Sequence, residues 1–252
     1  MCYIFVYNWY VGDVFLIRSP SNLLDPTMTK TQRSIYSSNL ARLFINYNTE
    51  IKKRFEDSTR QLETYTNMNA MDAYVEQTAN DVILVPGKAI VDSRVQKIYQ
   101  TGINWALLRM YKTDAQMGPA DWRALDALKV RNLTALKKIT NELNGQIMYE
   151  ISEGVRLGEH PSVIAKRITE RVDKIGITRA KMMARTETIH AFNQAAEIRY
   201  SQYGYDKLEW LAAAGCCDVC ASLNGKVFST SSYHERPPQH PNCRCALLPA
   251  GE

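Results

Sequence analysis

The last forty residues constrain this chain most, because they hold five of its six cysteines in two short clusters, Cys216-Cys217-x-x-Cys220 and His240-Pro241-Asn242-Cys243-Arg244-Cys245. Cys217 and Cys220 form one Cys-x-x-Cys half-site, and His240-x-x-Cys243 offers a second after nineteen intervening residues. A two-residue spacer lets one tight turn aim two side chains at one ion, and two such pairs joined by a loop are what a tetrahedral Zn²⁺ site needs. Between them, Asn224-Gly225 followed by Lys226-Val227-Phe228 reads as a hairpin that brings the chain back toward the metal. The competing readings of the same residues are a disulfide pair and a set of unligated thiols.

Compartment weighs against the disulfide. A secreted chain of this kind is expected to open with a charged segment, an apolar core and a small-residue cleavage site. Here Met1-Cys2-Tyr3-Ile4-Phe5-Val6 is apolar, but Asn8, Gly12 and Asp13 interrupt it and no lysine or arginine precedes it. The stretch is also too short and polar for a transmembrane helix of about 20 apolar residues. Residues 1–27 therefore read as a hairpin turning near Gly12-Asp13, or as an extension ahead of a start at Met28. No membrane anchor is expected, and in a reducing cytoplasm a Cys/His cluster points to metal.

Most of the chain ahead of the clusters reads as helix, so the expected fold is mainly α: a multi-helix region over 28–154, then a region over 155–252 that ends in a small zinc-stabilised α+β module at 205–248. Ile35, Leu40, Leu43, Phe44, Tyr47 and Ile51 form one stripe of a helix from Thr31 to about Arg60. Asp81 to Gly87 is a short apolar run closed by Pro86-Gly87 and predicts a loop or brief strand; helical character resumes to about Tyr111. Pro119, after Gly118, suits a first helical turn. One or two helices follow and end near Gly154 or Gly158. Pro161 opens the next, with Ile164, Ile168, Val172 and Ile175 on one face. Gly176 fits a left-handed C-cap. Thr178 fits the N-cap of a last helix, with Ile177 and Met182 as its staple, that carries Ala184, Thr188, Ala191, Ala195 and Ile198 toward Gly204.

Two polar features remain. Arg185, Glu187, His190 and Asn193 crowd the last helix. One Glu-x-x-His copy falls short of a di-iron site, so they are expected to form a network that fixes this helix against the metal module. The net charge of +5 is modest but uneven, with seven Lys/Arg from Pro161 to Arg185 against Glu170 and Asp173. Lys166, Arg167, Arg171, Lys174, Arg179 and Lys181, with Arg244 in the second cluster, are candidates for contact with phosphate or an acidic partner, against the plainer reading of a solvated helix face. Lys129, Arg131, Lys137 and Lys138 make a second basic stretch.

Ala184-Arg185-Thr186-Glu187-Thr188, Asn193, Ala195-Ala196, Trp210, Cys217-x-x-Cys220 with Leu223-Asn224-Gly225, and Pro237-Pro238-x-His240-Pro241-x-Cys243-Arg244-Cys245 follow in an order that resembles the phage head morphogenesis family, the minor head proteins related to phage Mu protein F. The resemblance covers about residues 155–248. The family has an Asp-containing approach to its first cysteine where this chain has Ala213-Ala214-Gly215-Cys216-Cys217, which leaves Cys216 as an alternative to Cys217. The resemblance implies a virion component in few copies, associated with the portal protein, a major capsid or scaffold protein, or packaged DNA. It would be located in the virion and, during assembly, in the host cytoplasm. The metal would be structural, with Cys217, Cys220, His240 and Cys243 closing the coordination sphere and Cys245 as first substitute.

Other classes fit less well. A zinc deaminase needs His-x-Glu ahead of Pro-Cys-x-x-Cys, a zincin needs His-Glu-x-x-His, and neither pattern is present. A zinc-supported nuclease would draw on His234, Glu235, His240 and Asn242. A sequence-independent nucleic-acid-binding zinc protein is the other alternative. The expectation is a protein without catalytic activity.

Overall fold

The computed structural model describes residues 25–57, 67–232 and 235–250. The hairpin or extension expected over 1–27 lies outside these residues except for its last three, and so does His234. Three long helical rods make the body. The first is α1 (Lys30–Asp57). The second joins α2 (Met68–Ala79), a π turn (Asn80–Leu84) and α3 (Val85–Arg109) without a break. α4 (Pro119–Arg156) is the third. A further rod joins α5 (Pro161–Arg171), a π turn (Val172–Ile177) and α6 (Thr178–Gln202). β1 (Lys207–Leu211), the short α7 (Asp218–Leu223), β2 (Val227–Ser229) and β3 (Ala246–Pro249) complete the chain.

The structure departs from part of the expected punctuation. Asp81–Gly87 is neither loop nor strand but helix. The π turn widens the helix just ahead of Pro86, so the missing N–H of that proline falls at the first turn of α3. Gly176 is not a left-handed cap, and Thr178 is not an N-cap, because the backbone stays helical through both. The hydroxyl of Thr178 instead donates to the Asp173 carbonyl at 3.0 Å. What Gly176 provides is the absence of a side chain: a Cβ there would lie 2.6 Å from Cδ1 of Phe44 on α1. The proline expectations fare better. Gly118-Pro119 and His160-Pro161 open α4 and α5, and the Asp121 carboxylate turns back to accept from the Gly118 N–H at 2.9 Å.

α6 is the central element and packs against α3, α1 and α4. Its small residues allow this, since Ala184, Ala191, Ala195 and Ala196 are all fully buried. The closest approach is at Gly102 of α3, where a Cβ would meet the Phe192 carbonyl oxygen at 2.4 Å. Burial of the apolar stripes drives this assembly. One buried cluster runs from Tyr36 and Phe44 through Ile103 and Phe192 to Trp210, Cys220, Cys243 and Leu247. Residues 28–154 and 155–252, expected as distinct regions, share that core.

Buried charges tie the rods together. The Glu150 carboxylate of α4 takes Arg167 and Arg171 of α5 at 2.9 and 2.7 Å. Asp121, fully buried, accepts from Tyr99 at 3.1 Å and Arg199 at 3.3 Å. Removal of Asp121 would leave the buried Arg199 without a carboxylate, which is far costlier than loss of a surface pair, whereas Arg167 and Arg171 are partly exposed.

Candidate metal centre

The sheet that carries the centre has the order β2-β1-β3, with both outer strands antiparallel to β1. Leu208 and Trp210 of β1 point into the core, and Leu247 of β3 sits opposite Trp210. Asn224-Gly225 joins a helix to a strand rather than two strands, because residues 218–223 are helical. β2 then pairs back onto β1, and the chain reaches the second cluster only through the loop after Ser229.

Each half-site is made by a local turn that its sequence specifies. Cys217 is the N-cap of α7 and Cys220 is that helix's third residue, so the two thiols lie one above the other on its first turn. In the second half-site the Cys243 N–H donates to the His240 carbonyl at 3.1 Å and closes a four-residue turn. Pro241 takes its second position and Asn242, with φ of 64°, its third. Proline followed by a residue that tolerates positive φ is the sequence such a turn requires.

The two turns bring their donors face to face. His240 Nε2 lies 3.3 Å from the Cys217 sulfur and 3.4 Å from the Cys220 sulfur, and the Cys220 and Cys243 sulfurs are 3.9 Å apart. Bond lengths of about 2.3 Å to sulfur and 2.0–2.1 Å to nitrogen give tetrahedron edges of about 3.8 and 3.6 Å. The observed spacings are close to those edges, and the sulfur–sulfur spacing is far from the roughly 2.05 Å of a disulfide. Cys217, Cys220 and His240 form one group of mutually close donors; Cys220, Cys243 and Cys245 form another, with Cys220 common to both. Cys216 belongs to neither.

The electrostatics suit a cation. The His240 Nδ1–H donates to the Pro241 carbonyl at 2.9 Å, which fixes the tautomer and leaves the Nε2 lone pair facing the sulfurs. That hydrogen bond, with the neighbouring thiolates, raises the basicity of the ring. Hydrogen bonding from Cys245 lowers the Cys243 thiol to about 5, and backbone N–H groups of α7 lower Cys217. Burial raises Cys220 to about 12 and, after the Cys243 hydrogen bond, contributes to raising Cys245. Four sulfurs and one imidazole thus converge, some held as thiolates and some as buried thiols, and the chemistry of the set fits Zn²⁺ or a similar borderline-soft ion.

Residues 145–248 match the family model described as Phage Mu protein F like protein. This segment is similar to that family. Among curated proteins and among solved structures, no match is found. The phage Mu protein F like segment begins on the last third of α4, takes in α5 and α6, and ends within β3, so it contains every donor of the centre.

The four polar residues of α6 divide between two neighbours. Arg185 donates to the Asn242 side chain at 3.2 Å, so it touches the second half-site. Asn193 is the firmer link: its amide donates to the Cys245 carbonyl at 3.2 Å and its oxygen accepts from the Leu247 N–H at 3.0 Å. Glu187 faces the other way, toward Arg131 of α4 at 2.8 Å. His190 lies between these, and its Nδ1 has no hydrogen-bond partner among the described residues.

The basic candidates also separate. Arg167 and Arg171 are engaged with Glu150, Arg167 with Glu159 as well, and Arg179 pairs with Glu142. Lys166 and Lys174 are exposed. Arg171, Lys174 and Arg179 line one cleft together with Glu142, whereas Lys181 and Arg244 face another, beside Arg185, that has no carboxylate among its described lining residues. Glu235, named with the nuclease alternative, accepts from Gln239 at 2.6 Å.

Two further residues support the site without a signal in the sequence. Arg236 holds the Glu197 carboxylate through two hydrogen bonds of 2.7 and 2.8 Å and so pins the loop before His240 to α6. Arg33 of α1 reaches the cleft beside Arg244, and no spacing in the sequence relates two residues so far apart.

Proposed function

We propose that this chain is a minor head protein of a tailed bacteriophage, and that one structural Zn²⁺ held by Cys217, Cys220, His240 and Cys243 fixes its C-terminal module. The single observation that carries the reading is the family match over residues 145–248, a span that closes on the Cys/His centre. Four protein donors leave no position for a reacting water, so the reading assigns the metal a structural role and the chain no catalytic step. When bound, such an ion supplies roughly 10–16 kcal/mol of apparent binding free energy in small modules, ample for a segment with three short strands.

In this reading the helical body presents a rigid surface to other head components, with the portal protein first and a major capsid or scaffold protein next. The protein sits in the virion after assembly in the host cytoplasm, close to the packaged DNA. No helix of the described residues is long and apolar enough to cross a membrane. The test is mass spectrometry of purified particles and procapsids, with co-purification of a tagged chain against portal protein. A chain absent from both particles and portal complexes would refute the reading. Elemental analysis gives the metal: one zinc per chain is expected.

A further inference from the structure

A cleft of about 610 Å³ opens where the N-terminal half of α1, the first turns of α6 and the second half-site meet. Five cations line it: Lys30 and Arg33 from α1, Lys181 and Arg185 from α6, and Arg244 from between the last two cysteines. No carboxylate is among its described lining residues. Asp25 pairs with Arg33 at 2.6 Å, and Arg244 donates to the Ala214 carbonyl at 3.1 Å. The remaining lining is polar, with Ser34 and Ser38 of α1 beside Asn242 of the turn. The charge is concentrated by the fold, since its contributors lie more than two hundred residues apart at the extremes. Arg33 feels it directly, being pushed below the usual guanidinium range first by burial and then by Arg244 and Arg185, against the opposing pull of Asp25.

We infer that this cleft is a binding site for the phosphodiester backbone of nucleic acid, with Lys30, Lys181 and Arg185 contacting phosphates. Mutual repulsion among cations held in one cleft disfavours the empty site, and an anion removes it. Guanidinium forks and serine hydroxyls suit phosphate oxygens, and they convey no base identity. The inference deepens the head-protein reading and rests on it for the choice of phosphodiester among polyanions. One wall is the turn that carries Cys243, so folding of the metal module and assembly of the cleft go together.

The test uses the full-length, metal-loaded chain and a labelled duplex of mixed sequence, titrated across salt. Each phosphate contact is worth a slope of about −0.9 in log K against log salt, hence about eightfold at 0.1 M salt. The double substitution Lys30→Gln/Lys181→Gln should therefore shallow the slope by about 2 and weaken binding about sixty-fold. Lys137→Gln/Lys138→Gln, which removes equal charge outside the cleft, should change affinity less than about twofold. Equal losses from both pairs would mean diffuse attraction and overturn the site. Equal competition by poly-glutamate would reassign the cleft to an acidic protein segment, and displacement of the duplex by millimolar inorganic phosphate would reduce it to an isolated phosphate site. A wild-type chain that binds no duplex refutes the inference alone, since the head-protein reading stands or falls on the particle analysis.

Discussion

The strongest structural prediction concerns Asn193, because β3 would otherwise be an open edge. One side of that strand pairs with β1, and the other faces α6. There the Cys245 carbonyl and the Leu247 N–H meet the two ends of the Asn193 amide, and the Leu247 carbonyl accepts from the Tyr200 hydroxyl at 3.4 Å. Asn193 is 2 % exposed, so water has little access to replace it. Asn193→Ala leaves one buried carbonyl and one buried N–H unpaired, at about 1–3 kcal/mol each. Its third hydrogen bond, to the Ile189 carbonyl of its own helix, costs little to lose. The expected destabilisation is about 2–6 kcal/mol in denaturant unfolding. Cys245 and Cys243 sit just ahead of this anchored strand, so competition with a chelator should show a weaker metal site as well, by about 10–100-fold. Asn193→Asp keeps the acceptor but turns a buried carboxylate oxygen toward the Cys245 carbonyl, and should cost at least as much as the alanine variant at neutral pH. A change below about 1 kcal/mol with unaltered metal affinity would refute the view that this amide seals the edge of β3 and holds the cysteines in place.

Other outcomes follow from burial and close approach. Gly102→Ala places a methyl 2.4 Å from a backbone carbonyl that cannot rotate away, so α3 and α6 must separate; a loss of about 1–3 kcal/mol in thermal or denaturant unfolding is expected, and an unchanged midpoint would contradict the packing. Glu150→Gln should cost about 1 kcal/mol by the same assay, since Arg167 and Arg171 are partly exposed and Arg167 keeps Glu159, and a loss above about 3 kcal/mol would mean that the pairs are closed to water. His190 is held below the ordinary histidine value by burial and by Arg131, against the pull of Glu187. A depressed histidine leaves the unfolded chain binding the extra proton, so stability should fall as pH drops below about 6.5. His190→Gln should flatten that slope relative to wild type, and the common metal centre cancels in the comparison.

Legibility in the sequence tracked the range of the interactions. The metal donors, the openings at Pro119 and Pro161, and the alanine face of α6 are local patterns, and each is decided within one or two turns of chain. Pro86-Gly87 and Gly176 misled because a breaker residue signals a stop only when nothing outside the segment needs it. Gly176 is there to admit the ring of Phe44 from a helix far away in sequence, and a π turn lets the rod continue through it. The basic stretch from Pro161 to Arg185 looked like one surface for a related reason. Which cations are neutralised depends on Glu142, Glu150 and Glu159 of earlier segments, and which converge depends on α1. Charge count is readable from a chain, whereas charge pairing belongs to the fold.

The converging donors leave one choice to argue, because five are present for four positions. Cys220 is shared by both donor groups, fully buried, and belongs to the set on any assignment. His240 has its ring fixed with Nε2 toward Cys217 and Cys220, which favours these three as one face of the tetrahedron. Cys243 stands 3.9 Å from Cys220, at the right edge length, and its thiol is the one held lowest. What holds it there is first of all the hydrogen bond from Cys245, whose own carbonyl is fixed by Asn193. On the proposed ligand set Cys245 would serve as a donor to the Cys243 thiolate, orienting and charging that ligand without being one. A serine at 245 keeps a hydroxyl donor, so Cys245→Ser should retain one zinc per chain. Cys243→Ser and Cys220→Ser should each lose the metal and expose residues 205–250 to protease, with the helical circular dichroism largely preserved. Loss of zinc from Cys245→Ser together with its retention in Cys217→Ser would invert the assignment, making Cys220, Cys243, Cys245 and His240 the ligands.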